Sequence, residues 1–209
     1  MERNMNKVFL VVMFALGISF SAQAQMTGNA SAGSSKVLAC SACHGASGND
    51  MVIPGAAKLG GQNQNYLYKQ LQDIKNGARP IVLMTGQLNA FSDQDLADIA
   101  AHYASLEEPL GATEESALTL GQTLYRAGNA DIGVAACSAC HSPTGAGNNG
   151  AGYPSLRGQD PAYTESQLRE FRDGTRNNDL AGVMRDNVSR LNDLEIQALA
   201  SYVSGLRAE

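Results

Sequence analysis

The pentapeptide Cys-Ser-Ala-Cys-His occupies residues 40–44 and occurs again, letter for letter, at residues 137–141. Two cysteines three positions apart, with a histidine directly after the second, are typical of c-type haem attachment. The two thiols add across the two vinyl groups of one porphyrin, and the following imidazole is held where it can bind the iron. The chain has four cysteines, and these two motifs use all of them. The sequence therefore predicts two covalently bound haem c groups.

Other uses of paired cysteines explain the motifs less well. An exported protein often pairs its cysteines as disulfides, and Cys-x-x-Cys also occurs in thiol oxidoreductases and zinc sites. All of these alternatives leave the repeated His44 and His141 without a role. A four-cysteine zinc ribbon usually separates its pairs by about 15–20 residues, whereas Cys43 and Cys137 are 94 positions apart.

Residues 1–24 are predicted to be a signal peptide that is removed from the mature protein. Arg3 and Lys7 precede an apolar run over 8–20, which is followed by Ala22-Gln23-Ala24. A positive start, a short apolar segment and a small-x-small end are typical of secretory signals. A membrane-spanning helix needs about 20 apolar residues, so an uncleaved anchor is the weaker alternative. We expect an exported protein that is at most loosely associated with a membrane.

The overall charge argues against one class of partner. The chain carries a net charge of −5 at pH 7, with a pI near 5.2. Nucleic-acid-binding proteins typically present a basic patch, so we expect no nucleic acid partner. A moderately acidic protein instead favours a basic docking partner.

The chain is an internal duplication. A shift of 97 positions superimposes the two pentapeptides and also the Leu-x-Gly-Gln segments at 59–62 and 156–159. The second copy then contains three extra residues, after which a shift of 100 applies. Further paired positions are Tyr66 with Tyr163, Gly77 with Gly174, Arg79 with Arg176, Met84 with Met184, Asp93 with Asp193 and Leu96 with Ile196. We predict domains over 25–108 and 117–209, joined by a charged linker over 109–116 that proline and glycine interrupt.

Both units are predicted to be all-α, because apolar residues recur at helical spacing and no alternating strand pattern is present. Capping residues and glycine stops define most helix ends. A capping box opens the last helix of each unit. The predicted helices run over about 34–40, from 63 to Gly77 and from 92 in the first unit, and over about 119–126, from 160 to Gly174 and from 192 in the second.

Met84 and Met184 are the candidates for the second axial iron ligand. They lie 40 and 43 residues after His44 and His141, in stretches predicted to be irregular. A methionine in one copy could simply fill the core, but equivalent methionines in both copies favour ligation. Met51 is only seven residues after His44, too close in the chain to reach the opposite face of the ring.

A histidine–methionine ligand pair decides the class of function. An iron with both axial positions filled has no open site for oxygen or peroxide, and the thioether raises its reduction potential. Such a site transfers electrons, so we expect neither an enzyme nor a small-molecule substrate.

With these motifs, the sequence resembles the cytochrome c4 family, periplasmic proteins made of two tandem class I cytochrome c domains. The resemblance covers essentially the whole mature chain. It implies a periplasmic location, two haems facing each other with propionates near the contact, and electron transfer from a bc1 complex to a terminal oxidase. The residues that the resemblance assigns to the haems are Cys40, Cys43, His44 and Met84 for the first, and Cys137, Cys140, His141 and Met184 for the second.

Two alternatives of function and two questions about residues stay open at this point. The alternatives are a dihaem peroxidase-like enzyme and a dihaem subunit of a larger oxidoreductase complex.

Arg79 and Arg176 could pair with haem propionates or lie at solvated helix ends. The loop carbonyl that orients each histidine is expected near Pro154 in the second unit, but Ala57 takes that position in the first, so the partner of His44 is undetermined.

Overall fold

The computed structural model describes residues 27–207. The predicted signal peptide over 1–24 lies outside this range. Within 27–207 the protein is helical, without strands apart from two isolated bridges. None of the helices in this part of the chain is long and apolar enough to cross a bilayer. The all-α prediction is therefore confirmed for the residues described.

The two units contain corresponding sets of helices. In the first unit a one-turn 3-10 helix, Val82–Met84, lies between the third and fourth helices. In the second, 3-10 turns at Ala130–Ile132 and Leu180–Gly182 lie between longer helices. The α-helices are α1 Ala30–Ser34, α2 Leu38–His44, α3 Gln64–Asn76 and α4 Asp93–Ala104, followed by α5 Glu115–Ala127, α6 Ser138–His141, α7 Pro161–Asp173, α8 Val183–Val188 and α9 Asp193–Ser204.

The two capping boxes read from the sequence form as expected, whereas the Asn63 side chain makes no cap hydrogen bond at the start of α3. At the start of α4, the Ser92 hydroxyl accepts a hydrogen bond from the Asp95 amide, and the Asp95 carboxylate accepts one from the Ser92 amide. Asn192 and Glu195 repeat this capping box at α9. Helices α3 and α7 end at glycines with φ of 83° and 77°, in the left-handed region that glycine adopts without strain.

Two helix boundaries differ from the prediction. The segment predicted as one helix over 34–40 is divided between α1 and α2. The Ser34 and Ser35 hydroxyls donate to the carbonyls of Ser31 and Ala32, and such local bonds compete with helix continuation. Helix α5 begins at Glu115, so the last two residues of the segment predicted as a linker are helical.

The first long helix of the second unit crosses the last one at a glycine. A Cβ atom added to Gly121 on α5 would overlap the carbonyl oxygen of Ala198 and the side chain of Tyr202, both on α9. In the first unit, Gly33 on α1 lies equally close to the backbone of α4. These glycines let the first and last helices of each unit pack backbone against backbone.

We expect Gly121→Ala to lower the free energy of unfolding by about 1–3 kcal/mol, the usual cost of overpacking a tight contact. Denaturant unfolding of the purified protein would measure the change. Gly150→Ala is the matched control, because its added Cβ would have no neighbour closer than Asn148 Oδ1 at 3.4 Å. Equal stability of the two variants would contradict the close crossing.

The apolar cores of the two units differ in size. In the second unit, eleven buried residues form one cluster that includes Tyr125 and Ile196. In the first unit, the corresponding cluster has four buried residues, Leu67, Ile99, Ala100 and Tyr103. The polypeptide alone therefore supplies less of the core in the first unit than in the second.

Candidate haem sites

A single continuous cavity of about 1240 Å³ runs between the two units. Drug-sized ligands usually occupy pockets of about 300–1,000 Å³, so this space exceeds what one such ligand requires. His44 and His141 both line it, as do Met84 and Met184. The cavity thus brings together the predicted axial ligands from both halves of the chain.

Each motif histidine is held by a main-chain carbonyl. His44 Nδ1 lies 2.8 Å from the carbonyl oxygen of Ala57, and His141 Nδ1 lies 3.0 Å from that of Pro154. A carbonyl only accepts, so Nδ1 carries the proton and Nε2 is left with a lone pair for a metal. The partner of His44, which the sequence left undetermined, is Ala57. A main-chain acceptor does not depend on the side chain, so alanine can replace proline there.

Burial keeps both imidazoles in the form that binds iron. It lowers the pKa of His44 and of the more deeply buried His141. A neutral imidazole at physiological pH is the metal-binding species.

None of the four cysteines, all of which lie within 27–207, is in a disulfide. Helix α2, and α6 together with its N-cap residue Cys137, hold the two thiols of each motif one helical turn apart, the spacing at which i and i+3 side chains are neighbours. Burial raises the pKa of Cys137 to about 11 and raises that of Cys40, unlike the lowered pKa of reactive redox cysteines. Within 27–207, no group of three His, Cys, Asp or Glu side chains could hold a bare metal ion.

The two methionines are presented by different local structures. Met84 ends the 3-10 helix Val82–Met84. Met184 lies in the first turn of α8, so the prediction of an irregular segment is wrong for the second unit. The three extra residues of the second copy, which precede this methionine, give the chain room for the turn at Leu180–Gly182 and for α8.

Asp179 holds the start of α8, a role that the sequence alone did not reveal. Its carboxylate accepts hydrogen bonds from the amides of Met184 and Arg185, both at 3.0 Å, and pairs with the Arg185 guanidinium at 2.8 Å. The side chain is 3% exposed. A carboxylate on the free amides of a first helical turn stabilises that turn.

We expect Asp179→Ala to lower the free energy of unfolding by about 0.5–2 kcal/mol, as for the loss of a helix cap. The amides of Met184 and Arg185 should exchange with solvent faster, which NMR hydrogen exchange would measure. Asp186→Ala is the control, because Asp186 lies exposed on the same helix. Unchanged exchange in the Asp179 variant would contradict this capping role.

Arg79 and Arg176 are buried at the contact between the units, so neither lies at a solvated helix end. They are 6% and 5% exposed. Arg79 donates to the Tyr163 hydroxyl at 2.9 Å, and Arg176 donates to the Tyr66 hydroxyl at 3.0 Å, each across the contact. Their hydrogen-bond partners within 27–207 are hydroxyl and amide oxygens without a formal charge.

The arrangement fits two haem groups. Each unit offers two thiols one helical turn apart, a neutral imidazole with a free nitrogen, and a methionine on the same cavity. The two buried guanidinium groups make no hydrogen bond to a carboxylate within 27–207, so they fit the carboxylates that a haem carries.

Comparisons with known proteins agree with this description. The family model described as "Cytochrome c" matches residues 118–207. Cytochrome c4 of Azotobacter vinelandii is 43% identical over 97% of this chain and 100% of that protein. The structure of reduced recombinant cytochrome c4 from Pseudomonas stutzeri aligns with a TM-score of 0.84 and 44% identity, covering 87% of this chain and 100% of that one. A protein of Stutzerimonas stutzeri (strain A1501), named thiosulfate dehydrogenase electron acceptor, is 35% identical over 81% of this chain and 79% of that protein.

These findings decide between the classes of function left open by the sequence. Proteins of the matching family carry electrons and are not enzymes. The peroxidase-like alternative is therefore excluded. The predicted fold of two cytochrome c domains is confirmed, as is the prediction of two covalently bound haem c groups. The chain belongs to the cytochrome c4 family of dihaem c-type electron carriers.

Proposed function

We propose that this protein is a periplasmic carrier that takes electrons from a bc1 complex and delivers them to a terminal oxidase. The mature protein would consist of domains over 25–108 and 117–209 with a linker over 109–116, after removal of residues 1–24. The observation that carries the proposal is the pairing, on one cavity, of a carbonyl-held histidine and a methionine from each unit.

We assign one set of ligands to each iron. His44 and Met84 bind the first iron and His141 and Met184 bind the second. The thioether attachments are made by Cys40 and Cys43 in the first unit and by Cys137 and Cys140 in the second. A haem held this way supplies a one-electron couple whose coordination changes little between the two oxidation states.

The residues around the cavity serve electron transfer in three ways. The carbonyls of Ala57 and Pro154 fix the imidazole rings, so the rings need not reorient when the charge changes. The largely apolar lining would limit the water around each bound iron, and such burial favours the less charged reduced state. Buried Arg79 and Arg176 would offset the negative charge of the carboxylates that a bound haem carries.

The first test is the optical spectrum of the matured protein, oxidised and reduced, with and without carbon monoxide. We expect two low-spin haems that do not bind carbon monoxide, because both axial positions of each iron are filled. A haem that binds carbon monoxide in the unmodified protein would refute the ligand assignment for that unit.

The partners need a separate test. Membranes supplied with quinol should reduce the protein, and an inhibitor of the bc1 complex should block this reduction. The reduced protein should then be reoxidised by membranes that contain the oxidase and not by membranes that lack it. Reduction that persists at full rate with the inhibitor would exclude the bc1 complex as the donor.

A second candidate is a dihaem subunit or dedicated acceptor of a larger oxidoreductase. The relative named thiosulfate dehydrogenase electron acceptor favours it. Thiosulfate with its dehydrogenase would then reduce this protein faster than quinol and membranes do, and the two proteins would co-purify. If neither occurs, the free respiratory carrier stands.

A further inference from the structure

A glutamine of the second unit is hydrogen-bonded to the loop of the first unit whose carbonyl holds His44. We call this pair of hydrogen bonds a grip. The Gln159 side chain accepts a hydrogen bond from the Lys58 amide at 2.9 Å and donates one to the Lys58 carbonyl at 2.9 Å. Gln159 is 8% exposed. A buried side-chain amide that bonds both main-chain groups of one residue fixes the orientation of that residue.

The grip is repeated in the opposite direction. The Gln62 side chain of the first unit accepts from the Ser155 amide at 2.7 Å and donates to the Ser155 carbonyl at 2.8 Å. Gln62 is also 8% exposed. The two glutamines occupy equivalent positions of the repeat, so the contact between the units contains two reciprocal grips.

Each gripped amide belongs to the peptide group that holds a histidine. The Lys58 N–H and the Ala57 C=O are the two ends of one planar peptide group. Gln159 therefore bonds one end of this group, and His44 Nδ1 bonds the other end at 2.8 Å. The result is a continuous hydrogen-bonded chain from the second unit to the histidine of the first.

The same chain exists for the other histidine. The Ser155 N–H and the Pro154 C=O belong to one peptide group, which accepts from His141 Nδ1 at 3.0 Å and donates to Gln62. Each glutamine oxygen is itself fixed, because it also accepts the next amide of its own unit, from Asn63 at 2.8 Å or Asp160 at 3.0 Å.

We propose that Gln159 is a positioning residue for His44, and Gln62 for His141, so that each unit sets the axial histidine of the haem in the other unit. The inference rests on the proposed function, because it takes the two histidines as iron ligands. A carbonyl whose own peptide N–H is hydrogen-bonded is polarised and accepts more strongly. A stronger acceptor on Nδ1 makes the imidazole a more basic ligand.

The sign of the effect on the reduction potential follows. A more basic ligand stabilises the more highly charged Fe(III) state, so the grip lowers the potential of the haem it reaches. Removing the glutamine weakens the bond at Nδ1 and raises that potential. The potential changes at the haem of the unit opposite to the substitution. A local packing defect would instead change the potential in the substituted unit.

The experiment uses the holoprotein with Gln159→Leu or Gln62→Leu, which removes the amide and keeps a side chain of similar bulk. NMR of the reduced, ¹⁵N-histidine-labelled protein reports each Nδ1–H directly. We expect Gln159→Leu to move the His44 resonance and raise the potential of the first haem. We expect Gln62→Leu to move the His141 resonance and raise the potential of the second.

The matched control is Asn65→Leu. The Asn65 side chain also donates a hydrogen bond across the contact, to the Asn149 carbonyl at 2.7 Å, and its main-chain amide donates to Asn149 Oδ1 at 3.0 Å, but Asn65 touches neither histidine-holding peptide. This variant should leave both histidine resonances in place. Shifts confined to the mutated unit, or equal in both units, would overturn the proposal.

Two measurements on the unmodified protein complete the test. If the leucine variants do not fold, slow exchange of the Lys58 and Ser155 amides in the unmodified protein supports the grips, and exchange at the rate of free backbone overturns them. The unmodified protein must also contain two low-spin haems with two ligand-histidine Nδ1–H resonances. Failure there refutes the proposed function itself, whatever the glutamine variants do.

Discussion

Replacing Met184 with alanine is expected to open the second iron to carbon monoxide and to lower its reduction potential. Alanine cannot reach the iron, and the thioether that raises the potential is lost with the methionine. Axial-ligand identity spans about 0.8 V among haem proteins, so we expect a fall on the order of 0.1 V or more. The start of α8, held by Asp179, should persist, so that the change is confined to the ligand.

Optical titration with carbon monoxide and a redox titration of the variant measure this change. One haem of two should bind carbon monoxide, and the other should keep its spectrum. Met51→Ala is the control, because Met51 is absent from the cavity that the two histidines share. A variant at Met184 that stays six-coordinate with an unchanged potential would show that another residue binds the second iron.

Much of this architecture could be predicted from the sequence because its signals are local. The haem motifs, the capping box of Ser92 and Asp95, and the glycine stops each act within a few residues, so their spacing alone identifies them. The duplication supplied a second signal, because a methionine that recurs at equivalent positions, Met84 and Met184, is better explained as an iron ligand than as a core side chain. The structure forms these elements where the patterns place them.

What escaped prediction depends on how the two units meet. For Arg79 and Arg176 the sequence left propionate pairing and solvated helix ends as alternatives, and only the assembled contact shows that both are buried against tyrosines of the opposite unit. Gln62 and Gln159 were visible as repeated polar positions, but a repeat gives no direction for a side chain. Asp179 lies in the insertion and has no counterpart in the first unit, so the duplication offered no help there.

Without its haems, the protein is expected to lose cooperative folding. The cavity of about 1240 Å³ runs between the two units and is lined by residues of both. Without the haems its apolar lining would face water, and apolar surface left exposed costs about 25 cal/mol per Å² relative to buried surface. The haem-free chain must therefore collapse or admit water, and either outcome removes the native packing.

The loss should be greater in the first unit than in the second. A haem-free protein with Cys40, Cys43, Cys137 and Cys140 all replaced by alanine would be compared with the holoprotein by thermal unfolding, followed by circular dichroism. Amide exchange should then show less protection in α3 and α4 than in α7 and α9, because four buried residues cluster in the first unit and eleven in the second. Ser138→Ala, which leaves both attachments intact, controls for substitution within a motif. A haem-free chain that still unfolds in one sharp transition near the holoprotein's temperature would mean that the polypeptide, and not the prosthetic group, supplies the core.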